Sequence, residues 1–90
     1  MSKVSRSVAV TNKRGLHARA SAKFVTLAAS LPATVEVEKD GAKVVGTSIM
    51  GLMMLGAAMG DTIVISASGD GAEAAVAALS ALVEARFHEE

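Results

Sequence analysis

Between Lys3 and Val10 the apolar Val4, Val8 and Val10 alternate with Ser5, Ser7 and Ala9, the two-residue period of a strand with one buried face. Arg6 interrupts the apolar side of that run. A polar loop, Thr11-Asn12-Lys13-Arg14-Gly15, leads to Ala18, Ala22, Val25 and Ala29 at helical spacing, with Phe24, Leu27 and Leu31 widening the stripe. This predicts a helix from His17 to Ser30, stopped by Pro32. Thr34 to Lys39 sets Val35 and Val37 against Glu36 and Glu38, and Lys39-Asp40-Gly41 turns the chain into a second run, Ala42 to Val45. An Asp-Gly between two alternating segments is a strong hairpin signal.

Thr47 and Ser48 stand where an N-cap belongs, ahead of a short helix from Ile49 to Leu55 that Gly56 can close. Gly60-Asp61 leads into a fourth strand, Thr62 to Ser68, with Ile63, Ile65 and Ala67 on one face and Val64, Ser66 and Ser68 on the other. Asp70-Gly71 opens a last helix whose expected buried stripe is Ala72, Ala75, Val76, Leu79, Leu82 and Val83, with Glu73, Ser80 and Glu84 outside. The tail from Arg86 to Glu90 is expected to fray. The order is β-α-β-β-α-β-α. Four strands that each show one apolar face need helices on that face only, so a two-layer sandwich follows, with an antiparallel or mixed sheet whose strand order the pattern leaves open.

Residues 1–90 are expected to form one domain, because a chain this short has too little interior for two cores. Composition sharpens the picture. Apolar residues make up 51% of the chain, yet Phe24 and Phe87 are the only aromatics, so the core must be built from small and aliphatic side chains. The absence of Cys excludes disulfides, thiolate metal sites and thiol nucleophiles, and fits a reducing compartment. The longest apolar stretch, Ile49 to Met59, is broken by Gly51 and Gly56 and is too short to span a bilayer. A soluble cytoplasmic protein without membrane insertion is the expectation.

The net charge of zero conceals an asymmetry. Lys3, Arg6, Lys13, Arg14, Arg19 and Lys23 all precede the first acid, Glu36, while the remainder holds all 9 acids and only Lys39, Lys43 and Arg86. Such a field draws an anionic group or an acidic partner surface, but it is too poor in aromatics to argue for nucleic acid.

Inside the basic third lies Gly15-Leu16-His17-Ala18-Arg19-Ala20-Ser21, where a loop hands over to a helix. In a helix interior, His17 and Arg19 would point apart. At the N-terminus, a group attached to the imidazole meets the free amides of Ala18, Arg19 and Ala20, and the Arg19 guanidinium can fold back onto the same group. A phosphoryl group suits that place. The helix dipole also favours a neutral, nucleophilic His17, and Gly15 lets the backbone bend tightly enough to expose the ring. Transfer on and off an imidazole needs positioning more than covalent help, so neither a metal nor any other cofactor is required. Two other uses of His17 are poorer. His88 is the only second histidine and lies in the tail, which leaves a metal shell incomplete. A nucleophilic pairing with Ser21 lacks an acid nearby to orient the ring.

Gly15-Leu16-His17-Ala18-Arg19 followed by Ala22-Lys23-Phe24-Val25 resembles the active-site segment of the HPr phosphocarriers of the bacterial phosphotransferase system. Ser48-Ile49-Met50-Gly51-Leu52-Met53 with Leu55-Gly56-Ala57 resembles their second motif, so the likeness spans the chain. The resemblance implies an α+β, open-faced sandwich: a four-stranded antiparallel sheet covered on one face by three helices. It also implies a stoichiometric carrier rather than an enzyme, in which His17 accepts phosphate on Nδ1 from enzyme I, charged by phosphoenolpyruvate, and donates it to an EIIA-type protein. Arg19 matches the phosphate-contacting arginine, with the Ala18 and Arg19 amides beside it. Ser48 matches the serine that an HPr kinase phosphorylates in part of the family, a role compatible with a plain N-cap hydroxyl. Docking falls to Ala18, Ala20, Ile49, Met50 and Met53. The expected state is a monomer.

Met50, Met53, Met54 and Met59 are too many for one short helix to bury, so some should be exposed as an adaptable docking surface, while Leu52 and Leu55 fill the core. Ala20 stands where sugar-type carriers usually have Pro, a feature similar to the nitrogen-related branch, and the branch stays open. Two competing readings are a regulatory binding module, docking through Met50 and Met53 and switched at Ser48, and a generic small-molecule-binding sandwich.

Overall fold

The computed structural model describes residues 3–89. Strand β1 (Lys3–Ala9) precedes helix α1 (Ala18–Ala29), the hairpin β2 (Thr34–Lys39) and β3 (Ala42–Val45), helix α2 (Ile49–Met54), strand β4 (Thr62–Ser68) and helix α3 (Ala72–Glu84). A final turn, Arg86–His88, follows. The sheet order is β1-β4-β2-β3, with every neighbouring pair antiparallel. This is the expected open-faced α+β sandwich, and the order that the alternation left open places β4 in the interior between the first strand and the hairpin.

The period-two pattern explains which strand residues face the helices. Val8, Val35, Val37, Ile63, Ile65 and Ala67 are buried, and they meet Phe24, Leu52, Val76, Leu79 and Val83 from the helical layer. Burying a Val, Leu, Ile or Phe side chain contributes about 1.5–3 kcal/mol, so this shared interior is the main force joining the layers. Arg6 follows the side-chain alternation of Val4 and Val8 but remains exposed near the sheet edge. The β2–β3 turn takes φ 52° at Asp40 and 85° at Gly41, the left-handed pair that an Asp-Gly hairpin needs.

Several expectations differ in detail. The buried face of α1 is Ala20, Ser21, Phe24 and Ala28, which keeps Phe24 of the expected stripe but leaves Ala22, Val25 and Leu27 only partly covered. Ala18 and Ala29 are exposed: Phe24 carries far more apolar area than any alanine, so its burial sets the rotation of the helix. On α3, Ser80 is buried and Leu82 only partly so. Ser66, expected to face solvent, is covered on the back of the sheet, where its hydroxyl lies 2.9 Å from that of Ser5. The tail is folded through Glu89, while Glu90 lies outside the described residues. Phe87 is fully buried, and Lys23 Nζ donates to its carbonyl at 2.7 Å.

Candidate functional site

The loop before α1 is set by close backbone packing. Gly15 has φ 63°, and a Cβ there would fall 2.3 Å from the Ala57 carbonyl oxygen. Leu16 donates its amide to that same carbonyl at 3.0 Å. Leu16 is buried, and the next residue, His17, becomes the extended N-cap of α1.

At that cap the His17 Nδ1 accepts the Arg19 backbone N–H at 3.2 Å. The acceptor of a helix-capping contact must offer a lone pair, so the ring presents an unprotonated Nδ1 toward the open amides of the first turn. The other nitrogen, Nε2, lies 2.5 Å from Glu89 Oε2. The two side chains retain 16% and 19% exposure, which leaves the ring reachable from one side. Ser21 is no partner for the imidazole: its hydroxyl donates to the Leu16 carbonyl.

Glu89 is the residue that pattern reasoning misses. An acid to orient the ring was expected to be absent, yet the folded tail delivers one from 72 positions along the chain. Buried Asn12 ties it down, donating Nδ2 to Glu89 Oε1 at 3.1 Å and to the Gly15 carbonyl at 2.8 Å. Burial pushes the Glu89 carboxyl up, but the hydrogen bonds from His17 and Asn12, with the nearby charge of Lys23, hold it below its ordinary range. The tail reaches this place through three consecutive positive φ values: 57° at Arg86, 54° at Phe87 and 60° at His88. Left-handed conformations cost non-glycine residues about 1–2 kcal/mol each, a cost that Phe87 burial helps to offset.

Around the ring lies an open recess of about 420 Å³ lined by Lys13, Arg14, His17, Arg19, Lys23, His88 and Glu89. Four of the six early cations therefore converge on one place. Lys3 and Arg6 do not join them, and Lys3 instead sits 3.8 Å from Glu36. His88, expected in a loose tail, lines the recess as well. Among the described residues no three His, Cys, Asp or Glu side chains are grouped to hold a metal ion.

Ser48 caps α2, its hydroxyl accepting the Gly51 amide at 2.9 Å. On that helix Ile49, Met50, Met53 and Met54 are exposed, as is Met59 beyond it, whereas Leu52 and Leu55 are buried. Of the expected docking residues, Ala18 is also exposed, but Ala20 is fully buried and offers nothing to a partner. No helix among the described residues is long and apolar enough to cross a membrane.

Residues 4–85 match the family model described as the PTS HPr component phosphorylation site. The chain is 42% identical to phosphocarrier protein NPr of Shewanella violacea over 89 residues, covering 99% of this chain and 98% of that protein. It is also 42% identical to phosphocarrier protein HPr of Cupriavidus necator over 86 residues, covering 96% and 97% respectively. Among solved structures, HPr-C-His from Thermoanaerobacter tengcongensis superposes with a TM-score of 0.90 at 44% identity, covering 100% of this chain and 99% of that one.

Proposed function

This chain belongs to the HPr family of phosphotransferase-system phosphocarriers, and we propose that it carries the phosphoryl group on His17 Nδ1. Phosphorylated enzyme I supplies the group and an EIIA-type protein receives it, in the cytoplasm, with this chain acting as a stoichiometric monomer that has no turnover of its own. The observation that carries this reading is the N-cap contact of His17, whose Nδ1 meets the Arg19 backbone N–H at the mouth of α1. Phosphate oxygens find backbone donors and the positive end of the helix there, and Arg19, Lys13, Arg14 and Lys23 balance their charge. With phosphoenolpyruvate and enzyme I, the protein should gain one acid-labile, alkali-stable phosphate that His17→Ala lacks. An unlabelled wild type overturns the proposal.

Partners dock on Ala18 and on the apolar face of Ile49, Met50 and Met53, whose exposed thioethers adapt to more than one surface. Ser48 borders this face, and its half-buried hydroxyl already serves α2 as a cap. Phosphorylation of Ser48 by an HPr kinase places a dianion beside the methionines and weakens docking without touching His17.

A further inference from the structure

We propose that Glu89 is a positioning residue for phosphoryl transfer, an inference that rests on His17 being the acceptor. Two contacts fix the imidazole from opposite sides: the Arg19 amide on Nδ1 and the Glu89 carboxylate on Nε2. An ionised carboxylate only accepts hydrogen bonds, so Nε2 carries the hydrogen and Nδ1 keeps the lone pair. The tautomer and the ring plane are chosen before any donor arrives.

Glu89 is itself held by the loop it serves. Asn12 joins its Oε1 to the Gly15 carbonyl, two residues before His17, so the carboxylate and the imidazole are referred to one piece of backbone. Strained left-handed residues at 86–88 bring it there, and backbone strain of this kind persists where surrounding contacts over-determine it. Among the described residues Glu89 is also the only acid lining the recess, beside Lys13, Arg14, Arg19, Lys23 and His88.

The chemistry gives that placement a use. As the Nδ1 lone pair leaves the Arg19 N–H and forms the new N–P bond, the donor's P–N bond breaks, its electron pair returns to the donor nitrogen, and the freed Arg19 amide can turn to a phosphate oxygen. Nε2 keeps its hydrogen throughout, so the ring gains positive character within a ring of cations. The Glu89 carboxylate offsets that charge as it develops. In the onward step the Nδ1–P pair returns to Nδ1 and the neutral tautomer is restored.

The test compares wild type, Glu89→Ala and Glu89→Gln, all with ¹⁵N-labelled histidine. Imidazole nitrogen shifts read the tautomer without any partner. Phosphorylation is timed with enzyme I and phosphoenolpyruvate, and separately with potassium phosphoramidate, a chemical donor that needs no docking surface. Wild type should show a hydrogen on Nε2 and none on Nδ1. Glu89→Ala should lose tautomer definition and slow about tenfold with both donors, the lower end of the loss seen when the partner that orients a metal-bound histidine is removed. Glu89→Gln, which keeps an acceptor but not the charge, should fall between them. Wild-type shifts and wild-type rates in Glu89→Ala overturn the positioning role while leaving the carrier reading intact. A wild type that takes no phosphate on His17 from either donor overturns the carrier reading, and this inference with it.

Discussion

Gly15 and Ala57 are in backbone contact: the glycine Cα faces the Ala57 carbonyl so closely that no side chain fits between them. The same carbonyl accepts the Leu16 amide, so the segment after α2 fixes the direction in which the chain enters α1. Gly15→Ala therefore meets both a steric block and a positive φ. It should destabilise the fold by about 1–3 kcal/mol. Because even a small misplacement of a reacting group is costly, it should also slow His17 phosphorylation by up to about a hundredfold. Chemical denaturation and labelling from enzyme I measure the two effects.

Ser80 is fully buried on the core face of α3, and its hydroxyl has no hydrogen-bond partner among the described residues. Leaving such a group unsatisfied costs about 1–3 kcal/mol, while alanine fills nearly the same volume and suits a helix better. Ser80→Ala should raise stability by about 1 kcal/mol, which for a domain of this size is about 4–8 °C in Tm. A lower Tm would mean that an ordered water or a local rearrangement satisfies the hydroxyl.

Met50 and Met53 are exposed on α2, and neither lines the recess around His17. Aspartate at both positions should weaken the interaction with enzyme I by about tenfold or more, the scale expected for central interface residues. Phosphorylation by phosphoramidate should stay at the wild-type rate, since the imidazole and its supports are untouched. Equal losses with both donors would show that α2 shapes the site itself.

The tail contact should respond to acid in one direction. The Glu89 carboxyl lies below its ordinary range when folded, so its proton binds more readily to the detached tail than to the attached one. The resulting stabilisation is complete above the unfolded-state value and is lost as pH falls through the folded one. Phe87 ring signals, followed by NMR, should show a transition in the acid range where Glu89 protonates. Glu89→Gln should abolish that transition.

Most of the architecture is legible because burial follows period. The β2–β3 hairpin can be placed from Asp40-Gly41 and from the alternation around it, and His17 and Ser48 are found at their caps because polar residues there stand directly ahead of apolar runs. Ser80 is misjudged from its polarity, although its spacing with Val76, Leu79 and Val83 already marks the inner face. The rotation of α1 was obscured by its many alanines, which carry little area and so weigh little against Phe24. Glu89 had no local signal at all. Its role depends on a tertiary encounter between the tail and the Asn12 loop, and the one hint is Phe87, one of only two large aromatics in the chain and a residue type that favours burial.

Because β1 pairs only with β4, Ala9 must find Thr62 and Lys3 must find Ser68 across more than half of the chain. Loop closure over that span comes before the contacts that reward it, so the rate-limiting step of refolding should be the docking of these two strands. The hairpin, by contrast, can form early and unaided by the rest. The loop that presents His17 follows β1 directly, and a refolding molecule acquires its reactive ring only when that late long-range pairing is complete.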